Sequence, residues 1–108
     1  METISFDDFK KLEIKIGKIL GAEKVEESNK LLKLEVDFGE EKRQIIAGIA
    51  QFYAPEALVG KECPFAYNLA PRVLKGLESQ GMILCPSNES APVLLHPDKD
   101  IPPGSPIK

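Results

Sequence analysis

Histidine occurs once, cysteine twice, and no apolar run approaches the roughly 18 residues that a membrane-crossing helix needs. The lone histidine lies in Leu95-His96-Pro97-Asp98, a proline-rich stretch where it reads as a surface or interface residue. No Ser-His-Asp or Cys-His set can be assembled around it, so no catalytic residue is assigned and the chain is not expected to be an enzyme. Cys63 and Cys85 each sit in an apolar run without the paired spacing of a zinc site. They read as buried thiols in strands, and a disulfide would require those strands to be neighbours. Neither a metal nor a cofactor is expected. Positive charge is also scarce, with 14 Lys and Arg against 17 Asp and Glu, a net charge of −3 and a pI near 5.2. That balance argues against a nonspecific DNA binder and confines any nucleic-acid site to a local patch. Glu26-Glu27 and Glu40-Glu41 read as solvated loop charges. The opening Met1-Glu2-Thr3 has neither a basic region nor an apolar block, so no signal peptide and a cytoplasmic location are expected.

Hydrophobic residues make up 43% of the 108 positions, enough for one globular domain with a modest core. A short helix is expected after Ser5, the candidate N-cap, with Asp8 at the capping-box position and Ile4 and Phe9 spaced as a hydrophobic staple. Alternation then begins, with Leu12, Ile14 and Ile16 on one side and Glu13 and Lys15 on the other. Ile19 falls out of step, so a bulge or bend is expected at Gly17. Residues 23–30 are polar and read as a loop. Leu32, Leu34, Val36 and Phe38 alternate with Lys33, Glu35 and Asp37 as a second strand. A turn at Gly39-Glu40-Glu41-Lys42 leads into a third strand from Arg43 to Ile49, with Ile45, Ala47 and Ile49 inward and Gln44, Ile46 and Gly48 outward. Pro55 to Gly60 fits a turn or two of helix. Cys63, Phe65, Tyr67 and Leu69 alternate as a fourth strand. Pro71 to Gln80 reads as a loop with a turn of helix, and Gly81 to Cys85 as a fifth strand.

Five strands with a short helix between the third and fourth match the OB-fold, an all-β, partly open Greek-key barrel. Its core is placed at about residues 8–87, with residues 88–108 as a C-terminal extension. Such barrels bind ligands on strands two and three and with the loops after strands one and four, here residues 23–30 and 69–80.

The second of those loops holds Arg72 and Lys75, suited to phosphate, and Asn68, Ser79 and Gln80, suited to sugar or base edges. The run Asn68-Leu69-Ala70-Pro71-Arg72-Val73-Leu74-Lys75-Gly76, followed by Ser79 and Gly81-Met82, resembles the tRNA-binding domain found at the C-terminus of many methionyl-tRNA synthetases. The same family includes free-standing dimeric tRNA-binding proteins and an export-related chaperone. Further matches are Ile14-Lys15-Ile16-Gly17-Lys18-Ile19, Lys30-Leu31, Val36-Asp37, Arg43 to Ile49, Tyr53-Ala54-Pro55-Glu56, Val59-Gly60-Lys61 and Pro97-Asp98-Lys99. The chain departs from the pattern in its shorter, acidic first loop, Val25-Glu26-Glu27-Ser28-Asn29, and at Ala70 and Val73, where a basic residue is usual. Each missing cation lowers phosphate affinity and its salt dependence.

The resemblance implies non-catalytic, structure-directed tRNA binding, a homodimer built partly from the N-terminal segment and the residues after Pro86, and association with a methionyl-tRNA synthetase catalytic subunit. By position it implies RNA contacts at Lys30, Asn68, Arg72, Lys75, Ser79 and Met82. Lys33 and Arg43 join them on geometry, Lys33 as an outward residue of strand two and Arg43 as the start of strand three. Met82 fits a core position equally well, and each lysine fits a plain solvated charge. Two other functions fit the same residues: a chaperone-like dimer that takes unfolded peptide in a groove, and a dimerisation appendage of a synthetase.

Overall fold

The computed structural model describes all residues, Met1–Lys108. Helix α1 (Phe6–Phe9) starts at Ser5, whose hydroxyl accepts the Asp8 N–H at 3.1 Å. Strands β1 (Ile14–Lys24), β2 (Leu32–Asp37) and β3 (Lys42–Ala47) follow. Helix α2 (Pro55–Leu58) leads to β4 (Glu62–Ala66), then to β5 (Arg72–Leu74), β6 (Leu77–Ser79), β7 (Met82–Ile83) and β8 (Pro106–Ile107). The main sheet is antiparallel in the order β3-β2-β1-β4-β7, and β5 and β6 form a separate hairpin.

β1 curls the sheet because its two halves have different neighbours. Residues Ile14 to Lys18 pair with β4, while Lys18 to Lys24 pair with β2. The pairing with β4 runs without a break through Gly17, and the bulge lies between Ile19 and Gly21 instead. This corrects the expected bend. No bulge at Gly17 is needed, because the barrel interior is served by Gly17 and Ile19, and Ile14 and Ile16 lie on the other face. A Cβ on Gly17 would stand 2.5 Å from Val36 Cγ1, 2.8 Å from Phe38 and 3.0 Å from Phe65. Only a residue without a side chain lets those three meet. Phe38 and Phe65 then pack edge to face, with ring centroids 5.4 Å apart.

The interior is filled by alternate residues of the strands: Leu32, Leu34 and Val36 from β2, Ile45 and Ala47 from β3, and Cys63 and Phe65 from β4. Ile49, after β3, and Leu58, from α2, complete the core. Burying each large aliphatic or aromatic side chain contributes about 1.5–3 kcal/mol. The edge of β1 that β2 leaves unpaired is taken by the returning C-terminus. β8 pairs with Ile14 and Lys15, the Ile16 N–H donates to the Ser105 carbonyl at 2.9 Å, and the Gly104 N–H donates to the Ile16 carbonyl at 2.7 Å. The strap crosses the β2–β3 turn where Gly39 and Gly104 meet, at φ +86 and +92. A Cβ on Gly39 would lie 2.6 Å from the Pro103 carbonyl oxygen, so the crossing requires glycine.

Candidate nucleic-acid interface

Residues 71–80 fold as a β-hairpin, not as a loop with a turn of helix. Its two-residue turn is Lys75-Gly76, with φ +51 and +77, the type I′ geometry that matches strand twist. The hairpin is docked on the outer edge of β3. The Gln80 N–H donates to the Gln44 carbonyl at 2.8 Å, and the Gln44 N–H donates to Gln80 Oε1 at 3.0 Å. Gln44 Nε2 donates to the Glu78 carbonyl at 2.9 Å, and the Ile46 N–H to Ser79 Oγ at 2.9 Å. These contacts bridge the gap left between β3 and β7, so the curled sheet becomes a partly open barrel. They also explain why Ile46, outside the core cluster, is nevertheless buried.

Hairpin numbering falls from Gln80 as β3 rises from Gln44, so the hairpin leans toward the C-terminal end of β3. There Ala47 pairs with Leu32, and the Ala50 N–H donates to the Lys30 carbonyl at 3.0 Å. The two connections, 25–31 and 67–80, thus flank one strand. The exposed face of β1, β2 and β3 forms a groove of about 530 Å³ lined by Glu23, Lys33, Glu35, Lys42, Arg43 and Gln44 among others. A second hollow of about 330 Å³, under Tyr67 to Pro71, adjoins it, and Arg43 lines both.

The eight expected contact residues divide by availability. Arg72 and Lys75 are exposed on the hairpin, and Lys30 is exposed in the β1–β2 loop; none of the three takes part in an ion pair. Lys33 is half-buried at the groove and pairs with Glu23 at 2.6 Å. Such a surface pair is worth only about 0–1 kcal/mol, so a phosphate can replace the carboxylate. Met82, which also fitted the core, is 38% exposed on β7. Three others are committed to the fold. Ser79 is 1% exposed; its hydroxyl accepts from Ile46 and donates to the Gly81 carbonyl at 2.9 Å. Burial corrects its expected role as a free polar contact. Asn68 spends its amide on the N-terminal segment, accepting from the Glu13 N–H and donating to the Lys11 carbonyl, each at 2.7 Å. Arg43 donates through Nε to Glu41 at 2.6 Å and through Nη1 to the Tyr67 and Gln80 carbonyls at 2.6 and 3.2 Å.

Lys42 was not singled out by the sequence. It is exposed, lines the groove and makes no ion pair; its place beside Arg43 at the start of a strand was the available signal. Tyr67, whose alternation with Phe65 suggests only a strand residue, lies just past the end of β4. Its ring packs on Phe38, carries the Arg43 guanidinium 3.5 Å from its centroid, and has Lys15 Nζ 4.1 Å away. The Tyr67 hydroxyl donates to Glu41. That bond, and then the Arg43 guanidinium, hold the Glu41 carboxyl below its usual range. Burial first, and then the same bond, push the Tyr67 phenol up.

No three His, Cys, Asp or Glu side chains are grouped so as to hold a metal ion. Cys63, on β4, and Cys85, two residues past the end of the neighbouring β7, are free thiols; Cys85 is only half-buried, less than expected, and not on the strand expected for it. Burial pushes the Cys63 thiol up to about 11. His96 is exposed, with Nδ1 2.8 Å from the Glu62 carbonyl. No helix is long and apolar enough to cross a membrane.

An OB-like barrel with unpaired cations on a docked hairpin beside a strand-face groove is a nucleic-acid-binding module by class. The chain belongs to the tRNA-binding domain family: residues 14–106 match the family model described as "Putative tRNA binding domain". It is 53% identical over 107 residues to methionine–tRNA ligase of Methanococcus aeolicus and 50% identical over 107 residues to that of Caldanaerobacter subterraneus. In each case 99% of this chain is covered, but only 16–17% of the ligase. Among solved structures it superimposes on a MetRS-related protein from Pyrococcus horikoshii with TM-score 0.95, 39% identity and full coverage of both chains. The chaperone CsaA from Bacillus anthracis follows at TM-score 0.91 and 32% identity, covering 99% of this chain and 100% of that one.

Proposed function

We propose that this domain binds folded tRNA without catalysing a reaction, in the cytoplasm, through phosphate contacts from Arg72, Lys75, Lys30, Lys33 and Lys42. Met82 completes the surface beside them. The observation that carries this reading is the pair Arg72 and Lys75, exposed and without carboxylate partners on a hairpin fixed to β3. Contacts of this kind read RNA shape more than sequence. Residues 1–108 act as one unit, with 88–108 a covering extension of the barrel. The domain works free-standing or as the C-terminal or beta part of a methionyl-tRNA synthetase, to whose catalytic part it delivers tRNA. A homodimer is supported by the apolar cleft between α1 and β8, where Phe6, Phe9, Leu12 and Ile107 are exposed; a monomer mass by light scattering would remove that part. Two copies of a modest patch on one RNA raise avidity.

The test is a titration of bulk tRNA and of duplex DNA at two salt concentrations. We expect tRNA to be preferred. Arg72→Ala and Lys75→Ala should each weaken binding and lower the slope of log affinity against log salt by about 0.7–0.9. Variants that bind like the parent would refute the hairpin as the site. A second reading, peptide binding of the chaperone kind, is favoured by the likeness to CsaA and by Leu69, Val73 and Met82, which are exposed around the hairpin. Peptide capture by such a surface would persist in high salt.

A further inference from the structure

We infer that Arg43 is a positioning residue that clamps both ends of the RNA-binding hairpin segment, not a phosphate ligand. The inference rests on the tRNA-binding reading of Arg72 and Lys75. Arg43 opens β3, and its side chain is 22% exposed although it lines both hollows. Its guanidinium has five N–H donors in a fixed plane. Three are spent inside the protein: Nε–H on Glu41 Oε1 at 2.6 Å, and Nη1 on the carbonyls of Tyr67 at 2.6 Å and Gln80 at 3.2 Å. Tyr67 and Gln80 bracket the segment 68–79, so one side chain grips the point where the chain leaves β4 and the point where it returns toward β7.

The grip is itself braced. The guanidinium lies 3.5 Å from the centroid of the Tyr67 ring, and Glu41 accepts from both Arg43 and the Tyr67 hydroxyl. On the far side, Gln44 and Ile46 hold Glu78, Ser79 and Gln80. Arg72 pairs with Ser79 across the hairpin, so its direction follows from that docking. A hairpin held in place before RNA arrives pays little ordering cost when it binds. Lysine cannot substitute, because an ammonium lacks the planar fork that reaches two carbonyls and a carboxylate together.

The experiment compares Arg43→Lys, Arg43→Ala and Arg72→Ala. In each free protein, amide hydrogen exchange is followed in residues 68–80, and thermal melts confirm folding. Each is then titrated with bulk tRNA across salt. We expect Arg43→Lys to behave like Arg43→Ala: faster exchange in 68–80 without RNA, and binding weakened about tenfold although the charge is kept. Arg72→Ala should weaken binding while exchange in 68–80 stays as in the parent. If Arg43→Lys binds and exchanges like the parent, the clamp is overturned. If Arg43→Ala loosens nothing yet lowers the salt slope as Arg72→Ala does, Arg43 is a phosphate ligand and the inference is again overturned. If Arg72→Ala leaves tRNA binding unchanged, the tRNA reading of the hairpin fails, independently of what Arg43 does to exchange.

Discussion

Ser79→Ala removes one oxygen from the protein, and the structure fixes what that oxygen was doing. The hydroxyl accepts the Ile46 N–H and donates to the Gly81 carbonyl, both at 2.9 Å, at a position 1% exposed. Alanine keeps the hairpin backbone but leaves a donor on β3 and an acceptor before β7 without partners. An orphaned buried group costs about 1–3 kcal/mol, and the acceptor keeps a second lone pair for other contacts, so the sum should be about 2–3 kcal/mol. For a domain of this length, about 4 °C of melting temperature follows each kcal/mol, giving a drop of about 8–12 °C. The assay is a pair of thermal and urea melts at matched protein concentration, because any self-association would make the midpoint depend on it. The urea midpoint should fall by about 1–2 M with an unchanged slope. A variant that melts within about 2 °C of the parent yet loses tRNA affinity would refute the assignment and return Ser79 to the RNA surface.

Two further substitutions test the barrel itself. Gly17→Ala places a methyl 2.5 Å from Val36 Cγ1; the overpacking should cost about 1–3 kcal/mol by urea denaturation, and a neutral result would mean the core relaxes around it. Cys63 holds its proton up to about 11 in the fold, against an ordinary value of 9.0, because burial disfavours the thiolate. Its contribution is therefore complete below pH 9.0 and is lost as pH climbs toward 11. Cys63→Val should flatten that part of the alkaline loss in urea melts, and an equally steep loss would show the thiol is not responsible.

β2 was legible in full, since Leu32, Leu34 and Val36 alternate strictly with charged residues and a two-residue period leaves one way to face a core. β1 was legible as a strand but not in its facing. Ile14 and Ile16 gave the apolar signal, yet they face away from the barrel interior, on a segment whose edge pairs with the C-terminal strap, while the interior position is Gly17, which carries no hydrophobic signal at all. An edge pairing with residues 104–107, at the far end of the chain, cannot be read from local periodicity. The hairpin escaped because its turn places Lys75 at positive φ, where glycine or asparagine is the usual marker. Within the candidate site, the sequence named the charged residues but could not say which were already engaged. Arg43 and Arg72 look alike in a sequence. One spends its donors on two backbone carbonyls and a carboxylate, and the other points none at a carboxylate. Asn68 and Ser79 likewise read as open polar groups until their long-range partners were in view.

The outer rim of β3 has a second meaning. A terminal strand with bare N–H groups is a template on which another molecule can lay down its own backbone, the first step toward aggregation. Here the amides of Gln44 and Ile46 are stoppered by the side chains of Gln80 and Ser79. The hairpin that presents cations outward is therefore also the plug that keeps copies of this domain from stitching together edge to edge.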